Sequence, residues 1–139
     1  MQTKRHIVAE GAAPSPKTAR YSHAVEAGGW LYVTGQLPVD PENPAAPLPE
    51  GIDAQTRMAF RNLEIILAAS WYEFSDTVFA RIFLSQFDHD YADMNAVFHE
   101  YFADDATMPS RTTVGVAQLG RNALVEIDLV LFKDPNHTR

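Results

Sequence analysis

The chain has 139 residues, one domain's worth, with eleven Lys and Arg against eighteen Asp and Glu, a net charge of −7 and no cysteine. The missing sulfur excludes disulfides, a thiolate nucleophile and any Cys-ligated zinc or iron–sulfur site. With only three lysines (Lys4, Lys17 and Lys133) and no basic run, the acidic balance speaks against binding bare nucleic acid or anionic lipid. The two charges near the N-terminus are followed by no apolar stretch of a signal peptide. The longest apolar runs, 65–69 and 129–132, fall far short of the roughly 20 residues of a spanning helix. A soluble, cytoplasmic protein is expected.

Residues 1–20 form an N-terminal segment with little periodicity, apart from a possible short strand at 6–8. Residues 21–27 and 30–36 read as strands, joined by Gly28-Gly29 as a two-residue hairpin turn. Five prolines between 37 and 50 (Pro38, Pro41, Pro44, Pro47 and Pro49) forbid a ladder or helix, so this is a surface loop. From 53 to 70 the period turns helical: Ala59, Leu63, Ile66 and Leu67 share one face, and Arg57, Arg61 and Glu64 the other. Residues 75–84, rich in β-branched and aromatic side chains, predict a strand. A second helix follows, with Asp88 or Asp90 as N-cap and Tyr91, Met94, Phe98, Tyr101 and Phe102 as its apolar stripe. Strands at 111–117 and 124–132 flank a turn around Gly120.

The order β-β-α-β-α-β-β describes a single α+β domain over 1–139, two helices covering one face of the sheet. Sequence-adjacent strands at each end predict antiparallel pairs. In the last strand Val125, Ile127, Leu129 and Leu131 give one wholly apolar face, which belongs under the helices. The other face reads Leu124, Glu126, Asp128, Val130 and Phe132, too apolar for a plain solvent face. Such a face calls for a partner, and oligomerisation through it is the simplest inference.

The chemistry-bearing residues are few. Glu126 and Asp128 lie two residues apart on one strand, a spacing that suggests the acid/base pair of a glycosidase but suits an ion pair or a subunit contact better. The five histidines (6, 23, 89, 99 and 137) lack metal-ligand spacing, so no metal is expected. No nucleophile elbow or Gly-rich phosphate loop occurs. Arg111 opens an otherwise uncharged strand, and a guanidinium held by a strand end has the fork geometry for a carboxylate.

Five segments together carry a resemblance: Tyr21-Ser-His-Ala, Leu31-Tyr-Val-Thr-Gly-Gln-Leu-Pro-Val-Asp, Asp93-Met-Asn-Ala-Val-Phe-His-Glu-Tyr-Phe, Pro109-Ser-Arg-Thr-Thr-Val and Val125-Glu-Ile-Asp. In this order and spacing the chain resembles the Rid (YjgF-like) reactive-intermediate deaminases over about 21–132. The resemblance implies a chorismate-mutase-like fold and a homotrimer with active sites in the inter-subunit clefts. It implies hydrolysis of small 2-imino acids or their enamine tautomers to 2-keto acids and ammonia, with no metal or organic cofactor. Arg111 matches the carboxylate-binding arginine and Glu126 the glutamate beside the attacking water. Tyr21, Thr34, Gly35, Asn95 and Thr113 match site-lining positions, with Tyr21 closing the pocket from the neighbouring subunit and a backbone carbonyl near Thr113 receiving the iminium N–H.

The chain departs from the family at several positions. Thr34 stands where many members have Ser, and Thr113 where many have Cys. Arg20 and His23 add polarity near the expected mouth, and the loop at 41–49 is longer than usual. Trp71 replaces a helix-ending Gly, a strain of roughly 1 kcal/mol if the left-handed backbone is kept. Two rival functions remain: a pathway-specific aminoacrylate- or aminomuconate-type deaminase, and a non-catalytic trimeric ligand-binding or chaperone-like protein. The charge of −7 argues against the endoribonuclease activity also described for the family.

Overall fold

A computed structural model describes residues 3–136. Its elements run β1 (Arg5–Ile7), β2 (Ala24–Ala27), β3 (Trp30–Gln36), α1 (Ile52–Ser70), β4 (Thr77–Leu84), α2 (Phe87–Tyr101), β5 (Ser110–Gly115) and β6 (Val125–Phe132). The six strands form one mixed sheet in the order β1-β2-β3-β6-β4-β5. Gly28 and Gly29 both take positive φ, 58° and 91°, the twist a tight β2–β3 hairpin needs.

The expected pairing of the last two strands does not occur. β4 lies between them, parallel to β5 and antiparallel to β6, while β6 also pairs antiparallel with β3. The segment β4–α2–β5 is a crossover unit, and its helix must return over the sheet before a parallel strand can be laid down. β6 therefore fills the centre of the sheet, and its alternation holds. Val125, Ile127, Leu129 and Leu131 are buried under the helices together with Leu31, Val33, Ala80, Ile82 and Leu84.

The apolar stripe of α1 is buried as its period predicts, and Phe60 joins it, stacking on Tyr101 of α2 at 4.1 Å between ring centroids. Helix α2 begins earlier than expected. Its N-cap is Gln86, and Asp88 and Asp90 are first-turn residues rather than caps. As acids in the first turn they still complement the helix dipole. Asp90 is buried, accepts from His89 Nδ1 at 2.7 Å, and leaves its second oxygen without a partner among the described residues.

Helix α1 ends at Trp71 in the left-handed conformation, φ 66° and ψ 36°, with the indole 80% exposed. Its carbonyl accepts from Lys133 Nζ. The backbone a glycine would favour is thus kept by a tryptophan. Trp71→Gly is expected to raise stability by about 1 kcal/mol in urea unfolding. A loss of stability would show that indole contacts outweigh the backbone strain.

Candidate active site

Arg111 and Thr113 lie beside Ala80 and Ile82 of β4, so they stand on the helix side of the sheet at its β5 edge. There Tyr91, Asn95 and Phe98 of α2, spaced i, i+4 and i+7, meet the guanidinium. Arg111 Nε donates to Thr113 Oγ1 at 2.8 Å, and Nη2 donates to Asn95 Oδ1 at 2.5 Å. Its Cζ lies 4.7 Å from the Phe98 ring centroid and 5.8 Å from that of Tyr91. Burial pushes its pKa below the usual arginine value, yet a guanidinium stays charged at any working pH. Arg5, Arg57, Arg61 and Arg81 all pair with carboxylates; Arg111, among the described residues, has only neutral partners. Thr113 now has a local reason: a hydroxyl accepts the Nε–H better than the thiol it replaces.

Glu126 belongs to the opposite face. It is paired in register with Phe83, on the open side of the sheet. Burial, then the charge of Asp128, raises its pKa above the usual carboxylate range, against a smaller opposing effect of Arg81. Asp128 itself is held by Arg81 through two bonds of 3.0 and 2.8 Å, which makes it an ion-pair residue rather than a second catalytic carboxylate. One extra residue in β3 between Val33 and Gln36 shifts the register against β6, a bulge at Thr34-Gly35 that sets Gly35 against Glu126. A Cβ on Gly35 would stand 2.9 Å from Glu126 Cδ, so only glycine lets the carboxylate lie there undisturbed. Thr34 Oγ1 donates to the Ser22 carbonyl at 2.7 Å. Tyr21 lies close enough that the charge of Glu126, after burial, helps raise its phenol pKa, leaving a protonated hydroxyl as a donor.

Six of the seven expected site residues thus form two groups, Arg111 with Asn95 and Thr113, and Glu126 with Tyr21 and Gly35, while the Thr34 hydroxyl is bonded to the Ser22 carbonyl beside the second group. Within one chain the groups do not meet. They face opposite sides of the sheet, and β-sheet spacings put the Cα atoms of Arg111 and Glu126 about 14 Å apart. His23 does not add polarity at the mouth: it is 3% exposed, with Nδ1 accepting from Ala9 N–H at 2.9 Å and Nε2 donating to the Ala13 carbonyl at 2.8 Å. Arg20 is exposed, with a positive φ of 56°. The sequence marks Tyr91 and Phe98 only as part of the apolar stripe of α2 and gives Arg81 no role. The helical spacing of Tyr91, Asn95 and Phe98 was the available signal for the shelf they form against Arg111.

The fold and the split site define a class: a small α+β domain whose sheet carries a clamped arginine at one edge and a desolvated glutamate on its open face. Residues 11–132 match the family model described as Endoribonuclease L-PSP. A RutC family protein of Pyrococcus horikoshii is 33% identical, covering 94% of this chain and 99% of that protein. A 2-iminobutanoate/2-iminopropanoate deaminase of Dermatophagoides farinae is 36% identical, covering 94% and 98%. The crystal structure of RidA from an Antarctic Psychrobacter superposes with a TM-score of 0.83 at 32% identity, covering 93% and 99%. The chain belongs to the Rid family. Among the described residues, no helix is long and apolar enough to cross a membrane.

Proposed function

We propose that the chain is a cofactor-independent deaminase of small 2-imino acids and their enamine tautomers, releasing a 2-keto acid and ammonia. The observation that carries this reading is Arg111: half-buried, oriented by Asn95 and Thr113, and free of any carboxylate of its own among the described residues. Such a cation is suited to an anion from outside the chain. The name of the Dermatophagoides relative, a deaminase of 2-iminobutanoate and 2-iminopropanoate, agrees with a carboxylate-bearing imine.

The reaction then needs Glu126, which lies on the opposite face. We place the active site between copies, with Arg111 of one chain facing Glu126 and Tyr21 of the next. A head-to-tail contact of this kind closes into a ring, and a homotrimer is the expected ring. The half-apolar open face supplies a surface for it. Arg111 binds the substrate carboxylate with its free N–H groups, and a carbonyl near Thr113 receives the iminium N–H. Glu126 takes a proton from water as the oxygen adds to the C=N carbon. It returns that proton to nitrogen, then accepts the proton of the new hydroxyl as the C–N bond breaks and the tetrahedral intermediate collapses to keto acid and ammonia. An imine carbon is already electrophilic, so holding the reactants and moving one proton suffices. Ribonuclease activity finds little support in a chain of net charge −7.

The test is to generate 2-iminopropanoate in situ with an amino-acid oxidase and follow its decay, with light scattering on the same sample. Accelerated decay and a mass of three chains are expected. No acceleration overturns the activity, and the mass of a single chain overturns the shared site. Gly35→Ala is expected to retain the fold, because the clash falls on a movable carboxylate, but to lower kcat about tenfold or more by displacing Glu126. Unchanged kcat would remove Gly35 from the site.

A further inference from the structure

A cavity of about 460 Å³ opens beside Glu126's group, and Tyr21 and Gly35 belong to both. Its wall is apolar where it leaves them: Pro14 and Pro16 from the N-terminal segment, Leu37, Val39 and Pro44 from the proline-rich loop. Of its polar lining, His23, Gln36 and Arg121 are bonded internally, while the exposed Lys17 and half-buried Ser15 stand on the side of the N-terminal segment. Both His23 nitrogens are used by backbone, Gln36 Nε2 donates to the Thr34 carbonyl at 2.9 Å, and Arg121 donates to the carbonyls of Pro44 and Ala46 at 2.8 and 2.9 Å. The walls are also held in place. Asn62, fully buried on α1, accepts from Ala13 N–H at 2.8 Å and donates to the Val39 carbonyl at 2.7 Å, which ties the two segments to one helix position. A preformed apolar cavity of this size exceeds what the methyl group of 2-iminopropanoate fills.

We propose that this cavity is the side-chain subsite of the deaminase, and that it selects imines bearing a large apolar side chain, such as those derived from leucine or phenylalanine. This rests on the deaminase reading above. With the carboxylate on Arg111 and the imine carbon at Glu126, the substituent on that carbon extends past Tyr21 and Gly35 toward Leu37 and Val39. Each methylene received by a fitted apolar pocket favours the larger substrate by a factor of about ten or more. The long proline loop thereby acquires a task, as the outer wall of a specificity pocket.

The experiment compares decay of the imines generated from alanine, leucine and glutamate by amino-acid oxidases. The wild type is expected to show kcat/KM for the leucine-derived imine at least about tenfold above that for the alanine-derived one. Val39→Trp, which fills the cavity, should lower this ratio about tenfold, and the distant Trp71→Gly should leave it alone. A wild-type ratio at or below one, or a preference for the glutamate-derived imine, overturns the subsite; neither measurement depends on a variant folding. A folded Val39→Trp that keeps the wild-type ratio overturns it too. Acceleration of none of the imines instead overturns the deaminase reading itself.

Discussion

Arg111→Ala is expected to lower kcat/KM for imine hydrolysis about 100- to 1,000-fold while the protein stays folded. Truncating one partner of a desolvated, hydrogen-bonded charge pair costs about 2–5 kcal/mol, and each 1.36 kcal/mol is a factor of ten in rate. The guanidinium is well placed to supply that energy. Asn95 and Thr113 fix its plane, so little orientation entropy is lost when a carboxylate arrives, and the rings of Phe98 and Tyr91 exclude water from one side. Arg111→Lys should recover only a minor part of the rate. An ammonium keeps the charge but cannot present two parallel N–H groups. Asn95→Ala and Thr113→Val should each give a smaller loss, mainly in KM, because they loosen the clamp without removing the charge. Equal rates for wild type and Arg111→Ala would end the assignment of Arg111 as the carboxylate clamp.

Much of the frame was legible because it depends on local pattern. Two consecutive glycines specify a hairpin whatever surrounds them, and the 3.6-residue period of α1 and the alternation of β6 report which faces are buried. What escaped depends on contacts remote in sequence. Nothing within 110–132 says that β4 will separate β5 from β6; that follows from the handedness of a crossover and the packing of α2. Arg81 reads as an ordinary surface charge until β4 and β6 are set in register and it meets Asp128. The N-cap of α2 was misplaced because acids favour both the cap and the first turn, and composition does not separate the two. His23 read as a polar residue at a mouth, when its role is to tie the backbone of 9–13 to β2. The site residues emerged as a set only through resemblance. In physical terms their division is legible in strand parity: Glu126 shares its row with Phe83, Arg111 with Ala80, and alternate positions of β4 point to opposite faces.

Glu126→Gln should have the second large effect, on kcat rather than on KM. Removing a positioned general base costs about 10²- to 10⁴-fold, whereas the amide keeps the shape of the carboxylate and leaves Arg111 untouched. The pH dependence separates this role from mere packing. Burial and Asp128 raise the Glu126 pKa above the ordinary carboxylate value of about 4.3, and the proposed reaction needs the ionised form. The kcat of the wild type should therefore fall on acidification at a higher pH than for an unperturbed carboxylate, and Glu126→Gln should abolish that acid limb. Stability moves the other way. A carboxyl whose folded pKa is raised binds its proton more tightly in the folded than in the unfolded chain, so it favours folding below the unfolded pKa. That advantage is lost as pH rises through the folded pKa. Above its folded pKa Glu126 is thus an ionised group held in a site that disfavours its charge, and there Glu126→Gln should melt at or above the wild-type temperature while being nearly inactive. A variant that is both slow and less stable would instead point to a structural carboxylate, and unchanged turnover would remove Glu126 from the mechanism.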